Sequence, residues 1–371
     1  MADIHWGAIP MLEMLAQVEH FKQQWPSGGP SIDGSELDGK RLSISLLSEP
    51  DANEILTTFP EIDCTAELTI MNSPIAGEGL RRFFAVPRPG LKRMRLFNTG
   101  LSGLDLAEVP SIPNLIEFET DVTDHISVMV SSLAKHPQLT SIFMDDIGSD
   151  GDLLSSLRSC KNLKSLKLRR ERTSDCPLEN LAFLSDCKQI TALQLHFPCI
   201  AAQCFEEISR IPKLREVTIA TKILRSDVIS QLGTSPSINQ LHGYCDVFDT
   251  SISVSSGSIG SLLIWAPCIK GEVETFVTGL ERVTYLELAA PALDPLRVLK
   301  ALPAVVTELV LRTSQTVSRT LLTELTHCQR LKLILINAPG AARIERRLKA
   351  LLPECDVRIS EGGIHISADF G

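Results

Sequence analysis

Ten cysteines carry the most reactive side chains of this 371-residue chain, and their spacing argues against redox or metal chemistry. They form no Cys-x-x-Cys motif and no paired spacing. Cys199 and Cys204 lie near His196, but this spacing matches no zinc pattern and no second ligand pair follows. The sequence therefore predicts no metal site and no cofactor.

Three of these cysteines occupy one position of a repeating pattern. The three are Cys160, Cys187 and Cys328, and each precedes the first residue of an apolar pair by six positions. In other repeats the position of the cysteine is occupied by Ile or Leu. Free cysteine packs as a small apolar residue. We expect these three thiols in the core and reduced, which favours a cytoplasmic location.

No catalytic motif accompanies the cysteines. The chain has no Gly-x-Ser-x-Gly, no His-Glu-x-x-His and no Gly-rich phosphate loop before a Lys. Residues 148–152, GSDGD, resemble part of a calcium loop but lack its later ligands, so they indicate a solvated helix start. The sequence predicts a protein that is not an enzyme.

Composition narrows the class of protein further. Hydrophobic residues make up 44 % and charged residues 22 %, which is typical of globular proteins and not of disordered ones. The net charge of -9 gives no global attraction to nucleic acid or to acidic membranes. The first residues lack a signal-peptide pattern, and no stretch approaches the roughly 18 apolar residues of a membrane span. We therefore expect neither nucleic acid nor membrane among the partners.

One short phrase recurs along the chain. In NLKSLKLRR, residues 162–170, the apolar residues Leu163, Leu166 and Leu168 follow the spacing L-x-x-L-x-L. The same spacing occurs in QITALQLHF at 189–197 and in RVTYLELAA at 282–290. Because residues of a strand alternate between its two faces, the spacing predicts a short strand with one buried face.

We call the residues at the third and fifth positions of each predicted strand the inner pair. This pair recurs in fourteen repeats. Successive pairs lie 21 to 27 residues apart. The pairs are Leu42/Ile44, Leu68/Ile70, Met94/Leu96, Phe118/Thr120, Ile142/Met144, Leu166/Leu168, Leu193/Leu195, Val217/Ile219, Leu241/Gly243, Leu262/Ile264, Leu286/Leu288, Leu309/Leu311, Ile334/Ile336 and Val357/Ile359. A period this steady predicts one repeat array without a linker.

Most repeats carry a helical pattern between their strands. Apolar residues recur at three- and four-residue spacing in 125–135, 151–160, 204–211, 295–302, 317–328 and 341–352. Asp294 before Pro295 is a favourable helix start. The Ser-rich segment Asp249–Ser258 lacks this period, and we expect it to be extended or irregular. Parallel strands joined by helices make a parallel sheet with helices on one face.

The first 36 residues lack the phrase. Their apolar residues between Ile9 and Trp25 have helical spacing, and Pro26–Pro30 ends that pattern. A repeat array must cover its first apolar edge. We therefore expect residues 1–36 to form an N-terminal capping helix and loop, and residues 37–371 to form the repeat array with a C-terminal cap at Val357 and Ile359.

These residues resemble the leucine-rich-repeat superfamily, whose signature is L-x-x-L-x-L-x-x-N-x-L in units of 20–29 residues. The resemblance spans about residues 37–360. The Asn of the signature is absent from every repeat, and Pro198, Pro267, Pro291, Pro339, Ser73, Thr99 or Ser314 stands there instead. The resemblance implies an α/β fold, a parallel-sheet solenoid (horseshoe) with helices on its convex side, used for interaction.

Strand residues that flank the inner pair point away from the core, onto the concave sheet face. Large or charged side chains gather there in the middle of the array. The candidate partner-binding residues are Lys167, Arg169, His196, His242, Tyr244, Trp265 and Tyr285. Two interpretations stay open: the aromatic residues reflect strand propensity alone, or they form a binding patch with aromatic and Arg anchors.

Two basic clusters share this face. One comprises Lys92, Arg93 and Arg95, and the other is Lys164/Lys167/Arg169/Arg170. Without aromatic residues in each repeat they do not indicate nucleic acid, and acidic protein segments suit them better.

The sequence thus predicts a cytoplasmic, non-enzymatic scaffold that binds another protein on its concave sheet face. A substrate-recruiting subunit of a larger complex, similar to a ubiquitin-ligase receptor, is the first alternative and would need a docking motif outside the repeats. An enzyme without a recognisable motif is the second, and it would need convergent polar residues in a pocket.

Overall fold

The computed structural model of the chain describes residues 31–33, 42–59, 65–145, 147, 151–170, 177–317, 320–325 and 328–360. These residues fall into two compact units. The first holds the described residues of Met1–Gly148 and Leu153–Arg169, and the second those of Ser149–Asp152 and Arg170–Gly371.

Strands of the first unit follow one another in space in chain order. They are β1 (Ser31–Asp33), β2 (Leu42–Leu47), β3 (Thr65–Met71), β4 (Arg93–Phe97), β5 (Glu117–Thr120), β6 (Ser141–Met144) and β7 (Ser165–Arg169). From β2 to β7 each neighbouring pair is parallel. The short β1 is the exception, because it runs antiparallel to β2.

Helices of the first unit lie between these strands. They are α1 (Ala52–Thr58), α2 (Gly77–Ala85), α3 (Gly103–Ala107) and α4 (Ile126–Leu133). A 3-10 helix, Gly151–Ser159, precedes β7, where the apolar spacing had suggested an α-helix. Its two ends belong to different units.

The second unit repeats the same arrangement. Its strands are β8 (Ala192–His196), β9 (Glu216–Arg225), β10 (Gln240–Asp249), β11 (Ser261–Trp265), β12 (Cys268–Lys270), β13 (Tyr285–Ala289), β14 (Glu308–Arg312), β15 (Leu333–Asn337) and β16 (Asp356–Ser360). All pair in parallel and in chain order, except that β12 pairs with the end of β10 while β11 pairs with β13.

Helices of the second unit again alternate with strands. They are a 3-10 helix (Ala182–Asp186), α5 (Ala202–Ser209), α6 (Ser226–Gly233), α7 (Val273–Thr278), α8 (Pro295–Ala301), α9 (Thr320–Leu325) and α10 (Ala342–Leu351). The predicted start of α8 is confirmed, since the Asp294 carboxylate accepts the Leu296 N–H at 2.9 Å. The predicted absence of a helix after Asp249 is also confirmed, because 250–260 is irregular.

Strand pairing confirms the inner pairs within each unit, with one correction. Ile44 lies opposite Leu68 and Leu46 opposite Ile70, so the first inner pair is Ile44/Leu46 and not Leu42/Ile44. Shifting the assigned pair by two residues along the strand keeps the same face buried, so the apolar pattern did not distinguish the two assignments. Both Ile44 and Leu46 are fully buried.

Inner pairs form the core beneath the helices. Leu166, Leu168, Leu193, Leu195 and Leu286 are all 0 % exposed. Gly243 replaces the second member in β10, and a Cβ there would lie 2.5 Å from Leu224 Cδ2 and 2.7 Å from Ile264 Cδ1. The neighbouring repeats therefore fill the space that this position leaves empty.

The signature Asn is missing from the bends after the strands. Hydroxyl side chains and Asn residues at other positions shape these bends instead. Ser73 is fully buried, and its Oγ accepts the Glu49 N–H at 2.8 Å and lies 2.9 Å from the Met71 carbonyl. One residue earlier, Asn72 and Asn98 have left-handed backbones, with φ of 51° and 48°. Asn tolerates this region better than most residues, and the Asn98 amide donates to Asn72 Oδ1 at 3.1 Å.

The predicted capping helix between Ile9 and Trp25 lies outside the described residues. Residues 31–33, in the loop predicted to follow it, form β1. No described helix has the length and apolar character needed to span a membrane.

Candidate partner-binding surface

Each strand buries its inner pair and turns its other side chains to the face without helices, here called the open face. The alternation is visible in β7, β8 and β11, where half-buried residues alternate with buried ones. Because the strands are in register, the exposed side chains form rows that cross the strands of each unit. The open face therefore presents side chains that the core does not need.

In the second unit, Glu287 of β13 lies at the centre of a side-chain cluster on this face. Although it belongs to the open face, only 5 % of it is exposed. Its Oε1 accepts the Trp265 Nε1–H at 3.1 Å and the Arg312 Nε–H at 2.9 Å, and its Oε2 accepts the Tyr285 hydroxyl at 2.7 Å. Three donors from three strands thus satisfy one nearly buried carboxylate.

Aromatic rings complete this arrangement, which we name the Glu287 cluster: Tyr244, Trp265, Tyr285, Glu287 and Arg312. The Arg312 guanidinium lies 5.5 Å from the centre of the Trp265 ring, a cation–π contact. Ala289, small and 3 % exposed, lies between these two residues in the strand register. The Tyr244 and Trp265 ring centres are 6.2 Å apart and their planes are inclined by 62°.

Burial and negative charge both act on the tyrosines of the cluster. Desolvation raises the pKa of Tyr285 well above its ordinary value, and the hydrogen bond to Glu287 raises it further. Desolvation and the nearby Glu287 charge likewise raise the pKa of Tyr244. Both hydroxyls therefore stay protonated near neutral pH and remain hydrogen-bond donors.

Two predicted residues of the second unit lie near the cluster without joining its hydrogen bonds to Glu287. His242 is half-buried on β10, two residues before Tyr244 on the same face. His196 of β8 lies in the row of Tyr244 but two strands away, with Ala220 between them. Two strand spacings are about 10 Å, so the structure places His196 at the margin of this surface.

The predicted residues of the first unit form a separate group. Lys167 Nζ lies 4.4 Å from the centre of the Phe143 ring, and Arg169 Nε lies 3.1 Å from Asp145 Oδ1. The Phe143 ring also contacts the Phe97 ring, with centres 5.8 Å apart. Both cations are therefore engaged by side chains of the neighbouring strand.

The basic residues Arg93 and Arg95, predicted to suit acidic protein segments, are paired with glutamates of the chain itself. Arg95 lies 3.0 Å from Glu67, 3.3 Å from Glu119 and 3.7 Å from Glu117, while Arg93 lies 3.0 Å from Glu117. These carboxylates stand on adjacent strands of the same face. Burial raises the pKa of Glu119 above its ordinary value even though Arg95 lies beside it, so this ion-pair group is partly shielded from water.

Sequence reasoning missed two features of the open face. The first is the role of Glu287, because contacts between strands are not visible in the sequence pattern of one strand. The second is an apolar row, in which Leu47 (59 % exposed) and Met71 (36 % exposed) lie next to Phe97 on adjacent strands. Correct pairing of β2 would have revealed Leu47, since it follows the second inner residue Leu46.

The cysteines and acidic residues give no sign of a metal centre within the described residues. No three His, Cys, Asp or Glu side chains gather there to hold an ion. Cys160 and Cys187 are buried, as their repeat position predicts, while Cys328 is half-buried. Burial raises the pKa of Cys160 to about 11, so its thiol stays protonated.

Comparisons with known proteins bear on the fold. No protein-family model matches the sequence, and no curated protein matches it. Among solved structures, an internalin (InlF) of Listeria monocytogenes is similar with a TM-score of 0.50 at 13% identity, over 94% of this chain and 96% of that one. A weaker similarity, with a TM-score of 0.38 and 11% identity, covers 81% of this chain and 51% of the protein in a TLR13–ssRNA13 complex.

At these identities the similarity concerns the fold alone. It agrees with the strand register, the buried inner pairs and the helices that alternate with parallel strands. The chain has the α/β, parallel-sheet solenoid fold of the leucine-rich-repeat superfamily.

Proposed function

We propose that the protein binds another protein through the open face of its second unit, with the Glu287 cluster at the centre of the contact. The observation that carries the proposal is the fixed, half-buried set of Tyr244, Trp265, Tyr285 and Arg312 around one carboxylate that accepts three hydrogen bonds. Tyr, Trp and Arg dominate the energetic centres of protein interfaces. Side chains that are already held in place lose little entropy on binding.

Binding without turnover fits the chemistry of this cluster. A general base needs an oxygen that can reach a substrate proton, but Glu287 is only 5 % exposed and already accepts three intramolecular hydrogen bonds. The tyrosine hydroxyls are not nucleophilic near neutral pH because their pKa values are raised. We therefore propose a recognition role and no reaction.

A protein partner also fits the charges of the open face better than nucleic acid does. Phosphate binding needs unpaired Lys and Arg side chains in number. In the second unit Arg312 is paired with Glu287. In the first unit Arg93 and Arg95 are paired with glutamates, and Arg169 with Asp145.

The test is a double substitution, Tyr244→Ala with Trp265→Ala, in the full chain. A pull-down from native lysate with mass spectrometry identifies the partner, and calorimetry then measures its affinity for both proteins. We expect affinity to fall about 30-fold or more, because the loss of even one aromatic anchor of about 2 kcal/mol corresponds to about 30-fold. The melting temperature should fall by only a few degrees, since Trp265→Ala removes one donor to Glu287, worth about 1 kcal/mol.

A matched control is Gln194→Ala with Gln240→Ala, two polar truncations on the same face of the same unit. This pair should leave affinity within about twofold. If the aromatic double variant binds normally but melts much lower, the rings serve only to hold the sheet, and the proposal is wrong.

A further inference from the structure

A second surface of the second unit lies away from the open face, where two strands continue past the usual bend. β9 and β10 are ten residues long. The last three residues of β10 pair with β12, Val247 with Cys268 and Asp249 with Lys270. The next repeat does not add a strand, because there the Leu293 N–H donates to the Ala290 carbonyl in a turn, at 3.1 Å.

Hydrogen bonds show which backbone groups of β12 point outward. The Thr250 N–H donates to the Lys270 carbonyl at 2.8 Å, so Lys270 directs its backbone groups toward β10. Along a parallel strand, successive residues direct their N–H and C=O groups to alternate sides. The N–H and C=O of Ile269 therefore point away from β10, to the side where the next repeat has no strand.

A groove lies along that edge, with a volume of about 480 Å³. Its lining includes Ile269, Gly271, Val273, Ala292, Leu293 and Asp294. Val273 and Leu293, only 8 % and 3 % exposed, lie at its floor, while Asp294, Arg297, Gln315 and Thr316 give the rest of its lining polar groups. Since a strand advances about 3.3 Å per residue, a groove of this size accommodates a few residues of extended chain.

We propose that this groove binds an extended peptide segment of a partner protein by strand addition to β12. The peptide backbone would exchange two hydrogen bonds with the N–H and C=O of Ile269, and an apolar peptide side chain would contact Val273 and Leu293. The outward N–H and C=O of Ile269 form the donor and acceptor pair that one residue of an added strand would match. This site is independent of the Glu287 cluster.

Hydrogen exchange of the full-length chain tests the premise. The Ile269 amide should exchange quickly in the free protein, whereas the Lys270 amide, which points toward β10, should be protected. Strong protection of the Ile269 amide in the free chain would overturn the proposal.

Binding is tested with a phage-displayed library of random decapeptides selected against the full chain. Selected peptides should lose about tenfold or more in affinity with Ile269→Pro, which removes the outward donor and leaves Lys270 intact. Ala292→Trp, at an exposed position of the groove, should block the same peptides by filling it. Cys268→Ser, at an exposed neighbouring position of β12, is the matched control and should change nothing.

If Ile269→Pro unfolds the chain, the effect of Ala292→Trp on peptide binding decides the test alone. The remaining outcomes contradict the proposal. A selection that yields no peptide, or only peptides sensitive to Trp265→Ala and insensitive to Ala292→Trp, would overturn the proposal. So would a dimer in light scattering that Ala292→Trp dissociates, because a second copy of this chain would then be the occupant.

Discussion

Glu287 is the residue on which the candidate surface depends most. We expect Glu287→Gln to lower the free energy of unfolding by about 1–3 kcal/mol, because Gln keeps an acceptor for Trp265 but removes the charge opposite Arg312. Urea denaturation of the full chain measures the change. Glu308→Gln, at an exposed position of the adjacent strand, is the control and should stay within about 0.5 kcal/mol of the parent. Equal losses for both variants would show that the cluster contributes nothing to stability.

His136 gives the protein a pH dependence at the residue scale. Desolvation lowers the pKa of this histidine to about 4, and its Nδ1 accepts the Ile112 N–H at 3.0 Å. Because the folded pKa lies below the unfolded value of about 6.5, the stability from neutral His136 is present above pH 6.5 and is lost as pH falls toward 4. The loss reaches about 3 kcal/mol at most.

Thermal melts between pH 7 and pH 4 check this dependence. His136→Asn, which retains an acceptor for the Ile112 N–H but does not titrate, should flatten the profile in this range. An unchanged slope in this variant would assign the acid sensitivity to other groups.

At the scale of the element, β10 departs from the repeat at Gly243. Gly243→Ala should destabilise the protein by about 1–3 kcal/mol, although Ala is closer to the aliphatic residue of other repeats. The added Cβ would meet the terminal methyl groups of Leu224 and Ile264 at 2.5 and 2.7 Å, so these two buried side chains would have to shift within the core. Differential scanning calorimetry measures the shift. A rise in melting temperature, as expected from replacing strand Gly elsewhere, would contradict the tight packing.

The elements were the most predictable part of this protein. Leu166 and Leu168, with their counterparts in other repeats, fix the strand face because a period of two leaves only one face apolar. The exact start of β2 was not predictable, since a slip of two residues buries the same kinds of side chain. The Glu287 cluster was only partly predictable. The two-residue period of a strand places Tyr244, Trp265 and Tyr285 on one face. Their hydrogen bonds between strands, however, depend on strand register and side-chain rotamers, which one sequence does not display.

At the scale of the whole molecule, stability depends on contacts between successive repeats. Leu286 is fully buried, and its strand neighbours Leu262 and Leu309 are buried as well. We expect Leu286→Asp to unfold several repeats of the second unit, because an unpaired buried carboxylate costs several kcal/mol. Circular dichroism should show a large loss of ordered signal. Gln240→Asp, exposed on β10, is the control, and a parental melt for Leu286→Asp would refute the assigned register.

The three hydrogen bonds that Glu287 accepts also have an evolutionary consequence. Replacing Trp265, Tyr285 or Arg312 alone withdraws a donor from a buried carboxylate, so a single mutation there carries a penalty before any benefit in binding. A polar residue such as Gln194, by contrast, is free to drift. Across descendants of this gene, the four residues of the hydrogen-bond group should therefore be inherited together or replaced together, while the rest of the open face diversifies one position at a time.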